Sequence, residues 1–491
     1  RSNHLLHITI EVPQAMASAI PSLLFCLLVL APHLGSSYHT SFINGGKQTF
    51  VRSSDSMAPP TCSPAPSDGG EVPAGRLPVV HRLSPCSPSG AGEGQSMLSA
   101  GDAFDRDSLR LRALFGESDT EDSKAGLTIP ATGAPLAALP GAADYSVVVG
   151  FGNPVQKLAV GFDTATVGAT LLQCKPCSAD GDPCDRSFDP SRSHSLAQIP
   201  CASPDCPLRA CNGPRSCTVA LKKKGAVLLN ATVVTDTLTF SRSASANDFR
   251  FACLEMGAAA DTTTERSSGV LDLSRERHSL ASRVLVSPDT VAFSYCLPAD
   301  PGFPGFLSLG ATRPERSGRG VVGGYATVWD KASHPNLYFL RLVGVSVGVR
   351  HLRVPPAALA SDALLEVHTT FNYLSHHVYA ALRHEFREQM REYRRAPPLG
   401  ELETCYDFSR ESSYSVPMIT LRFHGGAELV IDHMLYFKDP RNVFGVACLA
   451  FAPAPAYAPA GVAVVGSMAQ VNMEVVYDVR GGKVGFVPNG C

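Results

Sequence analysis

The chain has almost no excess of charge: its 42 lysines and arginines nearly cancel 44 aspartates and glutamates, leaving a formal net charge of -2 over 491 residues. With no basic field to gather a polyanion, nucleic acid is not expected as a partner. Long hydrophobic runs are also missing. The most apolar stretch, around Ser22 to Ala31, covers about a dozen residues against the roughly 20 that span a bilayer, so no membrane partner is expected. Long helical periodicity is scarce, and 42 glycines and 38 prolines cut the chain into short pieces. That favours a turn-rich, largely β protein. With 44% hydrophobic and 18% charged residues, disorder is excluded as the main state. P-loop and HExxH signatures are absent, which removes the phosphate-cradling loop and the helical zinc pair as starting points.

Cysteine is plentiful and unevenly placed. Three of the 15 precede residue 90 (Cys26, Cys62, Cys86), and the other twelve run from Cys174 to Cys491. An even dozen suggests pairing in an oxidising compartment. Met16 to Ala31 followed by small and polar residues resembles a secretory signal without a basic n-region. Residues 16–37 are therefore expected to be a signal peptide, 1–15 an N-terminal extension of uncertain status, and the protein secreted or vacuolar. The C-x-x-C at Cys174 and Cys177 would also suit a metal or redox pair, but no second such spacing follows. His376 and His377 are adjacent, so on a helix they diverge by about 100°. No metal and no cofactor are expected.

Residues 38–140 carry few order signals, with Pro/Ser-rich runs at 58–67 and 84–90, and are expected to form a propeptide-like segment. The exception is Ala103 to Phe115, where Phe104, Leu109, Leu111, Leu114 and Phe115 lean to one side of an arginine-rich helix. Such a helix suits an acidic partner surface or is an ordinary surface helix. From Tyr145 the pattern changes to short β-type runs such as Ser146–Val149, Lys157–Phe162, Thr232–Phe240, Val291–Cys296, Val475–Tyr477 and Val484–Val487. One later helix stands out at Val378 to Arg391, with Val378, Leu382 and Phe386 at i, i+4 and i+8.

The Asp-Thr pair at 163 would mean little alone, since it also occurs at 119, 236, 261 and 289. Its surroundings are distinctive. Tyr145 to Pro154, Val160-Gly-Phe-Asp-Thr164, Gln173-Cys-Lys-Pro-Cys177, Phe188-Asp-Pro-Ser191, Phe293 to Pro298, Phe306 to Gly310, Tyr338 to Gly348, Cys405-Tyr-Asp-Phe408 and Val475 to Phe486 follow in order. Together they resemble the plant nepenthesin-like branch of the pepsin-type aspartic proteases. Pro78 to Pro88 is similar to that branch's propeptide motif, so the resemblance covers about residues 73–491.

The resemblance implies an all-β, bilobal fold with a few short helices: an N-terminal lobe at 141–310, a C-terminal lobe at 311–491, and a cleft between them. Each lobe would lend one aspartate from a D-T/S-G loop. The pair would share a proton, one carboxylate activating water while the other, protonated, polarises the scissile carbonyl. Here the first carboxylate is Asp163 with Thr164, Ala165 and Thr166, alanine standing where the family has glycine. Leu171 stands for the usual tryptophan, and one extra residue separates Asp163 from Cys174. The second loop falls on Glu366, Val367, His368 and Thr369. Glutamate thus replaces the second aspartate, the locking hydroxyl is lost at Val367, and an imidazole stands at His368 in place of glycine. The flap tyrosine falls on Lys223.

Two functions compete. A catalytically impaired homologue would use the cleft to bind a protein ligand, as xylanase-inhibiting relatives in cereal grain do. An active acid endopeptidase would hydrolyse peptide or protein substrate with Asp163 and Glu366. The protein is expected to be a monomer. Also implied by the resemblance are disulfides Cys174–Cys177, Cys184–Cys253, Cys201–Cys217, Cys206–Cys211, Cys296–Cys491 and Cys405–Cys448. Asn230-Ala-Thr232 is a glycosylation sequon expected to be exposed.

Overall fold

The computed structural model describes residues 39–52, 76–82, 84–87, 99–115, 144–165, 169–175, 187–206, 216–223, 226–241, 244–255, 268–284, 288–299, 302, 304–318, 320–359, 361–440 and 442–491. The expectations for residues 1–37, the 58–67 run, Thr166, Cys177, Cys184, Cys211 and the side chains of Lys223 and Asn230 lie outside these residues.

Alternation builds the strands that carry the first acidic loop. In Tyr145–Phe151 the side chains of Val147, Val149 and Phe151 are buried while Val148 faces out, the two-residue period of a strand with one wet face. Its antiparallel neighbour Gln156–Asp163 buries Leu158, Val160 and Phe162 and ends at Asp163. Strand Gly269–Asp272 runs parallel beside that end, Asp272 opposite Asp163. The second acidic loop is built in the same way. Ser361–Leu365 pairs antiparallel with Phe339–Val347 and parallel with Val462–Val465, and delivers Glu366 at its end.

Between these two halves lies a sheet in which Arg76–His81, Gly305–Leu309, Phe293–Cys296, Met473–Asp478, Lys483–Pro488 and Tyr325–Trp329 lie side by side. The resulting fold is mostly β, bilobal and barrel-containing with few helices, as the resemblance implies. Tyr477 packs in the middle of it with the Tyr295 ring tilted against it and the Tyr338 ring edge-on. Helix His376–Gln389 forms where the apolar spacing predicts, burying Val378, Tyr379, Leu382 and Phe386.

The described residues before 140 form more regular structure than their composition suggests. A hairpin of His39–Asn44 and Lys47–Arg52, the strand Arg76–His81 and the helix Ala100–Phe115 all fall within it. Each forms by leaning on the later chain, a source of order that local sequence does not display. The helix is capped by a reciprocal box: Ser99 Oγ accepts from the Asp102 amide at 3.1 Å, and Asp102 Oδ2 accepts from the Ser99 amide at 3.1 Å. Its buried face is Ala103, Phe104, Asp107, Arg110, Leu111, Leu114 and Phe115. Leu109 is only half-buried.

The cysteine pairing departs from expectation in the first lobe. Thr170–Cys174 runs parallel with Ala244–Glu255, which brings Cys174 to 5.3 Å from Cys253 (Cα–Cα), and these two are bonded. That displaces both Cys174–Cys177 and Cys184–Cys253. Cys206 lies 5.6 Å from Cys217 and bonds to it, which displaces Cys201–Cys217 and Cys206–Cys211. Cys201 and Cys86 each also take part in a disulfide. Cys296–Cys491 and Cys405–Cys448 form as expected, the latter from directly opposed positions on neighbouring strands. Non-reducing peptide mapping should recover Cys174 joined to Cys253 and Cys206 joined to Cys217; a Cys174–Cys177 peptide would contradict this arrangement.

Candidate functional site

The two acidic loops meet. Asp163 Oδ1 accepts from the Ala165 amide at 2.7 Å, holding the first carboxylate against its own turn. Glu366 Oε1 accepts from the His368 amide at 3.1 Å, and Oε2 from the Thr369 amide. A cradle of amides thus survives in the second loop although its glycine is gone. Thr164 Oγ1 donates across to Leu365 O at 3.3 Å, while Val367, on the other side, is buried in the apolar core and returns no such bond. The His368 ring approaches Phe162 O at 3.3 Å. Ser467 and Gly466 back the loop from below: the Ser467 amide donates to Thr369 O at 2.7 Å. A Cβ on Gly466 would sit 2.2 Å from Phe371 O, so only glycine permits this close approach.

The site's central feature comes from the helix Ala100–Phe115. Arg110 Nη2 donates to Asp163 Oδ1 and Oδ2 at 3.0 and 2.8 Å, to Glu366 Oε1 at 3.0 Å and to Ala165 O at 3.2 Å. One guanidinium nitrogen therefore joins both carboxylates, which places them within reach of a common partner. All three side chains are buried. One turn earlier, Asp107 accepts from the Thr370 and Phe371 amides at 2.7 and 2.9 Å and from the Tyr373 hydroxyl at 3.0 Å. Phe104 stacks on Phe371, Arg106 donates to Asp144 at 3.0 Å, and His334 Nε2 meets Leu114 O at 2.9 Å. The methyl of Ala165 belongs to the same apolar cluster as Phe104, Leu111 and Leu114. The basic amphipathic helix does meet an acidic surface, and that surface is the chain's own pair of loops.

Charge follows geometry. Burial works against an ionised Asp163, but the Arg110 charge, with help from His368, holds its carboxyl below the usual carboxylate range. Burial likewise opposes the Arg110 cation, and the carboxylates of Asp163 and Glu366 overcome it, so its pKa is raised. Asp107 goes the other way: burial pushes it up to about 7 in spite of its three donors.

Sequence reasoning found Asp163, Thr164, Ala165, Glu366, Val367, His368 and Thr369, and the structure brings them together. Lys223 ends the strand Thr218–Lys223, opposite Ala226 in a hairpin. Arg110 and Asp107 were missed. Their signal was a polar pair, three apart, on the otherwise apolar face of a helix. Gly344 to Gly348 also spells G-x-S-x-G, the turn that exposes a nucleophilic serine elsewhere. Here Ser346 is buried inside the strand Phe339–Val347, with its hydroxyl on Arg422 and His351, so it presents no nucleophile.

Two pH effects follow, with opposite signs. Asp163 is depressed in the folded state, so its contribution to stability is present above the unfolded value of about 4 and is lost as pH falls below it. Asp107 is raised to about 7, so its contribution is complete below about pH 4 and is lost as pH rises through 7. Asp107→Asn should therefore flatten the dependence of the melting temperature on pH between about 4 and 7; an unchanged slope would contradict the assignment. Arg110→Ala should cost about 3 to 5 kcal/mol near neutral pH by leaving two buried acids without their cation, and less in acid, where the depressed Asp163 no longer contributes. Thermal unfolding across pH measures both.

Comparison with known proteins shows the family. Residues 145–311 match the xylanase inhibitor N-terminal family model and 337–488 the xylanase inhibitor C-terminal model. The chain is 31% identical to aspartyl protease 25 of Oryza sativa subsp. japonica over 439 residues, covering 84% of this chain and 94% of the relative. It is 27% identical to aspartic proteinase nepenthesin-1 of Nepenthes gracilis over 372 residues, covering 72% of this chain and 79% of the relative. The fold matches that of basic 7S globulin from soybean with a TM-score of 0.53 at 14% identity, covering 71% of this chain and 93% of that one. With two carboxylate loops meeting at one point and relatives of this length and identity, the chain belongs to the plant nepenthesin-like family of pepsin-type aspartic proteases.

Proposed function

We propose that this protein is a catalytically impaired member of its family, secreted or vacuolar and monomeric, whose carboxylate pair holds a guanidinium instead of a catalytic water. The observation that carries this reading is the single Arg110 nitrogen bonded to both Asp163 and Glu366. A pepsin-type reaction needs a water between the two carboxylates and one proton shared by them. The guanidinium takes the water's place and favours the anion of Asp163, so neither condition is met while the helix is docked. Loop chemistry supports the same reading once the helix is absent. Glu366 carries one methylene more than aspartate, and a displacement near 1 Å can cost on the order of 100-fold in rate. Val367 supplies no hydroxyl, and His368 fills space beside the first loop.

A second reading has its own support. The loops retain amide donors to both carboxylates and the crossing bond of Thr164, as an active Asp163/Glu366 dyad would require after release of the helix. Such an enzyme would cleave peptide or protein substrate in acid.

Cleavage of a diverse peptide pool from acidic to near-neutral pH, with and without pepstatin, separates the two. The wild-type chain and Arg110→Ala should both be silent. Arg110→Ala combined with Ala165→Gly, Glu366→Asp, Val367→Ser, His368→Gly and Lys223→Tyr should gain pepstatin-sensitive cleavage of at least about 100-fold. Pepstatin-sensitive cleavage by wild type that disappears in Asp163→Ala would establish the second reading. Cleavage by Arg110→Ala alone would assign the silence to the helix and not to the loops.

A further inference from the structure

The N-terminal hairpin is seated far along the chain, on a strand that has no other ladder partner among the described residues. Ser413–Pro417 belongs to a sheet of only three strands, with Lys47–Arg52 in the middle and His39–Asn44 outermost. The register runs from Lys47 opposite Pro417 to Val51 opposite Ser413. It is extended at both ends by Arg52 N–H to Ser412 O and Met418 N–H to Gly46 O, each 2.9 Å. The hairpin turn is Gly45-Gly46 at φ 56° and 75°, the left-handed pair that a tight two-residue hairpin requires. Gly46 lies against Gly348 so closely that a Cβ would meet its carbonyl carbon at 3.0 Å.

Side chains add selectivity to this backbone pairing. Phe50 is 6% exposed, stacked on Tyr414 with ring centroids 4.8 Å apart and edge-on to Phe437 at 6.5 Å. Two residues on, the Arg52 guanidinium lies 4.3 Å from the centre of the Phe444 ring and donates to Glu411 O and Ser409 O at 3.2 Å each. Thr49 Oγ1 and Ser415 Oγ are 2.7 Å apart. An aromatic anchor in an aromatic pocket, an arginine over a ring and a ladder of amides make up the usual equipment of a strand-addition site.

We propose that Ser413–Pro417, with Tyr414, Phe437 and Phe444, is a peptide-binding exosite separate from the interlobe cleft. Its ligand is an extended segment bearing an aromatic residue and, two positions later, an arginine, and its occupant in this chain is Lys47–Arg52. The site holds the hairpin without help from a continuous chain, so cutting the chain after the hairpin leaves the hairpin in place. Without an occupant, Ser413–Pro417 would present an unpaired edge, which folded proteins cover. The inference is independent of catalysis, since no residue of the two acidic loops takes part.

The test uses the full chain with Cys26→Ser, so that no disulfide can tether the fragment, and a recognition sequence for a specific protease inserted between residue 53 and Cys62. After cutting, the N-terminal fragment should co-elute with the remainder at the mass of one copy on size exclusion. Phe50→Ala, which alters the fragment alone, should release it, with at least a tenfold loss of retained fragment. An added peptide of residues 39–52 should displace the wild-type fragment, whereas the same peptide with Phe50→Ala and Arg52→Ala should not. Loss of the wild-type fragment on cutting, equal retention of the Phe50→Ala fragment, or elution at the mass of two copies would each overturn the proposal.

Discussion

Two carboxylates have been taken out of water at one point, and that requirement organises much of this molecule. A buried carboxylate is tolerated when paired and hydrogen-bonded and is very costly otherwise. Amides of the two loops supply part of the compensation at Asp163 and Glu366, but amides carry no net charge. The cation has to come from elsewhere, and it comes from Arg110, more than fifty positions before the nearer acid. The helix that carries it is fastened by a second buried acid of opposite logic. Asp107 takes donors from the loop that follows Glu366, so the helix both gives a positive charge to the site and borrows hydrogen bonds from it.

The rest of the N-terminal region is fastened in the same borrowed manner. Arg76–His81 completes the central sheet beside Gly305–Leu309 and also touches the first strand of the N-terminal half. Asp144, where the described chain resumes after the helix, is gripped by Arg82 and Arg106 together. Burial opposes its ionisation, yet these two charges prevail and hold its carboxyl at about 2. Strand, helix and hairpin are each too short to be stable alone, and each buries its apolar side on the later chain.

Much of the later chain was legible because its signals are local. Alternation marks the strands from Tyr145 onward, and i, i+4, i+8 spacing marks the helix at His376–Gln389. The acidic loops were legible through the order of the motifs around them. What escaped notice was contact at long range. Gln48, Phe50 and Arg52 look like an ordinary polar stretch until Tyr414 and Phe444 are placed beside them. Likewise, the polar pair Asp107 and Arg110 on the helix's apolar face gives no hint of its partners until Thr370, Phe371 and the two acids enclose it. The disulfides show the limit most plainly. Cys174 and Cys177 are close in sequence, but the parallel pairing of Thr170–Cys174 with Ala244–Glu255 carries Cys174 to Cys253 instead.

The residues that depart from the family's pattern are not idle in this state. Ala165 replaces a glycine, and its methyl packs in the cluster that receives Leu111 and Leu114 of the helix. Val367 replaces a hydroxyl-bearing residue and is buried in the main core. The His368 ring approaches Phe162 O, one residue before the first acid. Glu366, with its longer arm, satisfies two loop amides while still meeting Arg110. Each of these side chains makes an apolar contact, a hydrogen bond or a charge interaction within the folded chain. Ala165 and Glu366 meet the helix directly, through the apolar cluster of Leu111 and Leu114 and through Arg110, whereas Val367 packs into the main core, so two of the altered positions tie the loops and the N-terminal helix into one arrangement.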